Sequence, residues 1–228
     1  ISQCLLAKQR HTYIKRSKRC FKIIEPILKR NGVPEDFKYL AVAESGLQNA
    51  VSSAGAKGIW QFMASSAKEY GLEVTDEVDE RYDLEKATEA ACEYLLKGHA
   101  QFDSWTMAAA AYNRGNNGIR RDLKKQLISD YYDMHLNSET ARYVFRILAF
   151  KTIMQNPKLY GYHIENKDYY GNIPTTSITV DTTIENISEY ASQLGTNYHV
   201  LKSLNPWIIR NELPVDNKSY TIKAPLIN

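Results

Sequence analysis

The sequence predicts a mainly helical domain followed by a small unit of two strands and two helices. Three observations carry that prediction. Apolar residues recur at helical spacing through most of residues 1 to 157. Past Pro157 the periodicity stops, and residues 158 to 176 turn rich in Tyr, Gly and Asn. The last stretch of about fifty residues then orders as β-type segment, helix, helix, β-type segment. A chain of 228 residues is long enough for one sizeable core and a second, smaller one.

Residues 1 to 30 carry an apolar stripe of Leu5, Leu6, Tyr13, Ile14, Phe21, Ile23, Ile24, Ile27 and Leu28, with a break expected near Ser17 and an end at Asn31-Gly32. Val33-Pro34-Glu35-Asp36 is a helix start, with Pro preset for the first turn and two acids at the positive end of the dipole. That helix runs to Glu44, and Ser45-Gly46 stops it. Ile59 to Met63 is predicted to open another helix, continued by Ser65 to Tyr70 and closed by Gly71. Leu72 to Tyr82 reads as an acidic connection whose Asp76, Glu77, Asp79 and Glu80 are solvated. Asp83 starts a long helix to about Phe102, and the alanine-rich Trp105 to Asn113 is a further helix that packs closely. Arg114 to Gly118 reads as a turn-rich loop. From Ser138, as N-cap, a helix places Ala141, Val144, Phe145, Leu148, Ala149 and Ile153 inward and ends before Pro157. Beyond the 158–174 linker, Thr175 to Val180 and Ser219 to Lys223 are strands, and Ile184 to Leu194 and Tyr198 to Leu204 are helices.

The stretch most suggestive of chemistry is Glu44 to Met63. Glu44 sits on the last turn of its helix among apolar neighbours, where the negative end of the dipole and the lost hydration both disfavour ionisation. The expected pKa shift is upward, as a general acid working near neutral pH requires. A solvated surface Glu is the competing reading. The loop after it, with Ser52, Ser53, Ala54, Gly55, Ala56 and Gly58, permits close backbone approach to itself or to a ligand. Gln61, set among Trp60, Phe62 and Met63, needs hydrogen-bond partners that either a hydroxyl-rich ligand or the loop backbone would supply. Trp60 and Phe62 read as core. Tyr112 and Asn113 come to the end of the alanine-rich helix, beside a glycine, where ligand contacts are common.

These residues together resemble the lytic transglycosylases. Glu44-Ser45-Gly46-Leu47, Ser52-x-Ala54-Gly55-Ala56-x-Gly58 and Trp60-Gln61-Phe62-Met63 look like one family signature; Ala111-Tyr112-Asn113-x-Gly115 looks like a second element, and Glu139-Thr140-x-x-Tyr143-Val144 like a third. Arg114 departs from the small residue expected there. The resemblance implies a goose-lysozyme-like helical fold and cleavage of peptidoglycan glycan strands. Glu44 would be the catalytic acid and then base, and Ser52, Gln61, Met63, Tyr112, Asn113 and Tyr143 would bind the sugar. The strand-helix-helix-strand tail resembles a LysM module, through Val180-Asp181-Thr182, Ile187, Tyr190, Leu201, Leu204-Asn205-Pro206, Leu213-Pro214 and Tyr220-Thr221-Ile222. Its usual Gly-Asp-Thr turn is Val-Asp-Thr, so the module is degenerate. The implied division is a catalytic domain over 1–157, a linker over 158–174 and a LysM-like domain over 175–228.

The usual schemes of glycoside cleavage add a second carboxylate to activate water or act as nucleophile, and none of the motifs is read as supplying that partner; what the resemblance implies, Glu44 as acid and then base, fits one carboxylate. A hydrolytic muramidase and a catalytically silent wall-binding protein are the alternatives. The net charge of +3 hides an asymmetry: residues 1 to 38 hold ten Lys/Arg against three Asp/Glu. A solvated basic helix explains this more simply than a nucleic-acid partner, and none is expected. Cys4, Cys20 and Cys92 show no metal-ligand spacing; Cys92 reads as core, and Cys4 with Cys20 would pair only if the first helix folds back. No metal or organic cofactor is implied. The resemblance further implies peptidoglycan as partner, a monomer, and a periplasmic or envelope location. The chain begins within a helical pattern and reads as a mature fragment, which leaves membrane association through an N-terminal anchor open.

Overall fold

The computed structural model describes residues 2–171 and 173–226, with side chains from residue 12 onward. Among the described residues seven α-helices make the larger lobe: α1 (Ser2–Arg30), α2 (Lys38–Ser45), α3 (Ala64–Glu69), α4 (Leu84–Phe102), α5 (Trp105–Arg114), α6 (Asn116–Gln126) and α7 (Ser138–Gln155). The smaller lobe is β1 (Thr175–Val180), α8 (Ile187–Gln193), α9 (Tyr198–Leu204) and β2 (Tyr220–Pro225). β1 and β2 pair antiparallel, with Ile178 opposite Ile222 and Val180 opposite Tyr220. The mainly helical fold with a small βααβ tail is therefore present.

One core fills the larger lobe, built on Ile24, Leu28, Leu40, Val42, Trp60, Leu95, Met107, Ile119 and Tyr143. Burying side chains of this size stabilises by about 1.5–3 kcal/mol each. The alanines of α5 are its centre: Ala108 to Ala111 are buried, and a Cβ built on Gly98 of α4 would lie 3.3 Å from Ala108. Small residues on both helices thus bring α4 and α5 together and free the end of α5 to carry Tyr112 and Asn113. A second core, with Val180, Ile187, Leu201, Trp207, Ile208, Leu213, Tyr220 and Ile222, fills the smaller lobe and also takes in Val78 from the larger one.

Several local expectations are corrected. α1 is unbroken at Ser17, whose buried hydroxyl donates to the Ile14 carbonyl at 2.7 Å and so needs no break to be satisfied. Pro34 opens a single 3-10 turn, Glu35–Phe37, and the α-helix proper begins at Lys38. Ile59 to Met63 is not helical: the Lys57 amide donates to the Phe62 carbonyl at 3.0 Å and closes a turn, with Gln61 at φ 52°. The expected loop at 114–118 shrinks to Gly115, after which α6 starts at once. The N-cap of α7 is Asn137, one residue earlier than expected, its side chain accepting from the Thr140 amide. α7 buries Thr140, Tyr143, Val144 and Ile147, while Phe145 and Leu148 are 54% and 45% exposed. Apolar residues wrap more than half of this helix, so the pattern left its inward face ambiguous, and the i, i+3, i+4, i+7 set ending at Ile147 is the one that packs. α8 is shorter than Ile184 to Leu194, since Ile184 instead bridges Leu213.

Within 72–82, Asp76 is exposed and Glu77 half-buried, but two of the four acids overturn their solvated reading. Asp79 and Glu80 are 1% and 5% exposed. Asp79 is held by a two-pronged bond from Arg81, Nε to Oδ1 and a terminal nitrogen to Oδ2, both at 2.7 Å. Glu80 accepts from the Glu73 amide at 2.8 Å and from Lys86. The linker, too, is tied down: the Tyr170 amide donates to the Lys15 carbonyl at 3.1 Å, and Lys18 lies over the Tyr169 ring. Cys20 and Cys92 are buried in the core, whereas the side chain of Cys4, and with it the question of pairing, lies outside the described residues. No described helix is long and apolar enough to cross a membrane.

Candidate active site

Glu44 stands on the last turn of α2, and the chain around it is built to end the helix there. Leu40, Ala41 and Val42 anchor α2 in the core. Gly46 caps it in the left-handed conformation, φ 63°, with its amide bonded to the Val42 carbonyl at 2.9 Å. A Cβ on Gly46 would meet the Tyr13 ring at 2.3 Å, so only glycine fits both the backbone and the neighbour. Arg16 donates to the Gly46 carbonyl at 3.1 Å. Leu47 and Gln61 both hold positive φ, 58° and 52°. Side-chain-bearing residues enter that region at a cost of about 1–3 kcal/mol, and such strain gathers at functional sites.

The loop 50–62 is fastened to this helix end. The Ser45 hydroxyl donates to the Ile59 carbonyl at 2.8 Å, and Trp60 Nε1 donates to Thr88 Oγ1 at 2.8 Å, with the indole fully buried. Ser52 pairs with Ala56 twice: its amide donates to the Ala56 carbonyl at 2.9 Å, and its hydroxyl accepts the Ala56 amide at 3.0 Å. Gln61 Nε2 donates to the carbonyls of Ala50 at 3.0 Å and Gly58 at 2.7 Å. The loop backbone is thus what supplies partners for its amide nitrogen. Met63, 43% exposed, lies just beyond as the N-cap of α3.

Two tyrosines close on Glu44 from the other side. The Tyr143 hydroxyl, on a fully buried side chain of α7, donates to Glu44 Oε1. The Tyr112 hydroxyl, on α5, donates to the Trp60 carbonyl at 2.8 Å, and its ring meets Phe62 edge-on at 6.0 Å. Burial pushes the Glu44 carboxyl above the ordinary carboxylate range; the Tyr143 bond and the Arg146 charge pull the other way, and Glu139 adds to the rise. Both tyrosines are pushed well above 10, by burial first and by the Glu44 charge second, which keeps them neutral donors. Asn113 stitches α5 to α7, accepting from Thr140 Oγ1 at 2.9 Å and donating to Glu139 Oε1 at 3.4 Å.

The structure therefore joins Glu44 to Tyr143 directly, and Tyr112 stands within reach of its charge. Among the described hydrogen bonds none joins Ser52, Gln61, Met63 or Asn113 to Glu44; Ser52 and Gln61 belong to the adjoining loop, Met63 caps α3 just beyond it, and Asn113 lies in the α5–α7 seam. Arg146 was missed, and Glu139 was named only within the third motif and not as a site residue. They lie three residues after and four before Tyr143, so helical spacing alone places them on its face. Arg146 stacks over the Tyr143 ring, its guanidinium carbon 5.2 Å from the centroid. Arg81 was missed as well, because a run of acids around it suggested open solvent. No group of three metal-ligating side chains occurs among the described residues.

With that geometry in view, the family described as Transglycosylase SLT domain matches residues 21–134, half of the chain. The chain belongs to this family. Residues 176–227 match the soluble lytic transglycosylase C-terminal LysM-like domain, which covers the small lobe from β1 to β2. The membrane-bound lytic murein transglycosylase D of Escherichia coli (strain K12) is 27% identical over 201 residues, spanning 86% of this chain and 44% of that protein. A putative tributyltin chloride resistance protein of Alteromonas sp. (strain M-1) is 30% identical over 103 residues, 44% of this chain and 49% of its own. The chain thus spans less than half the length of these relatives. Among solved structures, the soluble lytic transglycosylase Slt70 of Escherichia coli aligns over 65% of this chain and 26% of its own, at 20% identity and a TM-score of 0.47.

Proposed function

We propose that this chain is a lytic transglycosylase of peptidoglycan, cleaving the β-1,4 bond between N-acetylmuramic acid and N-acetylglucosamine without water and leaving 1,6-anhydro ends. The observation that carries the reading is the Tyr143–Glu44 bond, which ties a carboxyl of raised pKa to a buried neutral hydroxyl donated from a helix far along the chain. Glu44, protonated, gives its proton to the leaving oxygen as positive character develops on the sugar ring. As carboxylate it then takes the proton from that sugar's own 6-hydroxyl as the hydroxyl closes on the anomeric carbon. Tyr143 holds the carboxyl in one orientation through both steps and stabilises its ionised form in the second. Ser52, Gln61, Tyr112 and Asn113 position the sugar, Met63 lines the cleft, and holding the ring in place lowers the entropic part of the barrier.

One carboxylate suffices for this scheme. Glu139 is the acid whose charge Glu44 feels, and it is exposed and held by Asn113. The proposed division of labour is a catalytic domain over 1–157, a linker over 158–174 and a degenerate LysM-like domain over 175–228, acting in the periplasm or envelope. Mass spectrometry of digested peptidoglycan tests the reaction. Anhydro ends from the wild type are expected; hydrated reducing ends alone would instead indicate a muramidase, and no release at all a silent wall-binding protein.

A further inference from the structure

Among the described residues the small lobe meets the larger one along a seam at residues 77–79, and that seam leads to the loop beside Glu44. Val78 bridges Ile208 in strand fashion, the Asp79 amide donates to the Trp207 carbonyl at 2.8 Å, and the Ile209 amide donates to the Glu77 carbonyl at 2.7 Å. Val78 is buried in the core of the small lobe. At the edges of the seam, Glu73 accepts from the Tyr220 hydroxyl at 3.0 Å and from Lys218 at 2.7 Å, and Lys223 reaches Glu85 at 2.8 Å.

On its opposite side the same short segment grips the loop. Arg81, 4% exposed, donates to the carbonyls of Phe62 at 3.2 Å and Gly55 at 3.4 Å while both prongs of its fork engage Asp79. Lys57, within the loop, reaches Asp79 Oδ2 at 3.3 Å. Asn49 Nδ2 donates to the Tyr82 carbonyl at 3.3 Å. Gly58 lies flat against the Arg81 carbonyl, where a Cβ would fall 1.9 Å away. A buried guanidinium that satisfies a carboxylate and two carbonyls at once fixes three pieces of chain in a rigid planar geometry, which no lysine reproduces.

We propose that Arg81 is a positioning residue for the sugar-binding loop 50–62, and that the small lobe, by pairing with residues 77–79, holds Asp79 and Arg81 in register. This rests on the assignment of the loop to sugar binding made above. The small lobe is then a working part of the catalytic unit rather than a wall anchor on a tether. Arg81 touches no reacting atom and acts through the loop.

The test uses the full chain in three variants beside wild type: Arg81→Lys, Ile208→Ala in the seam, and Ile24→Ala, a cavity in the α1 core that serves as a stability control. Two quantities are read well below the melting temperatures: peptidoglycan turnover as KM and kcat, and hydrogen exchange at the amides of Ser52, Gly55 and Lys57, which are bonded within the loop. Arg81→Lys is expected to raise KM and loop exchange about tenfold, as loss of a charge-assisted bond would, with α4 amides unchanged. Ile208→Ala is expected to move the loop amides in the same direction by a smaller factor, even if the small lobe opens fully. Ile24→Ala should lower the melting temperature without moving the loop amides selectively. If Arg81→Lys only lowers stability, as the control does, the positioning role is overturned. If the small lobe loosens in Ile208→Ala while the loop amides stay protected, the coupling is overturned. A wild type that releases nothing from peptidoglycan would sink the proposed reaction instead, and the exchange data would still decide whether Arg81 and the seam hold the loop.

Discussion

Glu44 is a half-buried carboxylate just before the loop 50–62 and Asp79 a buried one in the segment that braces it, and their surroundings push them in opposite directions. Burial disfavours the charged form of both. At Asp79 burial is outweighed by the Arg81 fork and by Lys57, and the carboxyl is held below its ordinary value. At Glu44 the opposing groups are a neutral hydroxyl and the exposed Arg146, burial prevails, and the carboxyl rises. A carboxylate with a full cationic partner is held ionised, whereas one whose burial outweighs its partners is a candidate for proton exchange. The proposed function rests on that contrast.

The largest effect that probes the contrast is on turnover. Glu44→Gln keeps the size of the side chain and removes its proton exchange, so peptidoglycan release should fall by at least about a thousandfold, in the range general acid–base catalysis supplies, while the melting temperature does not fall. A folded, equally active Glu44→Gln would end the comparison. Asp79→Ala should do the reverse to stability: it leaves Arg81 buried without its partner and is expected to cost about 3–5 kcal/mol by denaturant unfolding. The sign of its pH dependence follows from the lowered pKa. The stabilisation from Asp79 is present above its unfolded value, about 3.9, and is lost as pH falls through the folded one, so the mutational cost should shrink in acid. For Glu44 the raised pKa gives the opposite sign. Its contribution is present below the unfolded value and lost as pH rises through the folded one, so Glu44→Gln should match wild type in acid and gain on it near neutrality. The smallest effect is at Tyr143→Phe. Losing one hydroxyl on a carboxylate, worth about 1.5–3 kcal/mol, should slow turnover roughly 10- to 100-fold, and Arg146 should then weigh more in the titration of Glu44.

Most of the fold was legible because it is written in local patterns. The Trp105–Arg114 helix, the α9 span and the strand at Thr175–Val180 follow from alanine content, caps and β-type runs. The candidate site was proposed from short motifs, and the structure adds which of them touch: Glu44 and Tyr143 bond, whereas Gln61 turns its amide nitrogen to the loop backbone. What stayed hidden was non-local. A run such as Asp76-Glu77-Val78-Asp79-Glu80-Arg81 has the composition of a solvated loop, and nothing in it announces that Trp207 and Ile209 will pair with it or that Gly58 will pack on it. The rotation of α7 failed for a related reason, since apolar residues on several faces leave the inward one to be chosen by partners such as Glu44.

The carboxyl titration of Glu44 tests the central claim most directly. In protein labelled with carbon-13 at Glu side-chain carboxyls, the resonance that disappears in Glu44→Gln should titrate above the ordinary glutamate value of about 4.3. If that resonance instead titrates at or below the ordinary value, Glu44 carries no retained proton to give and the account of it as acid and then base is wrong.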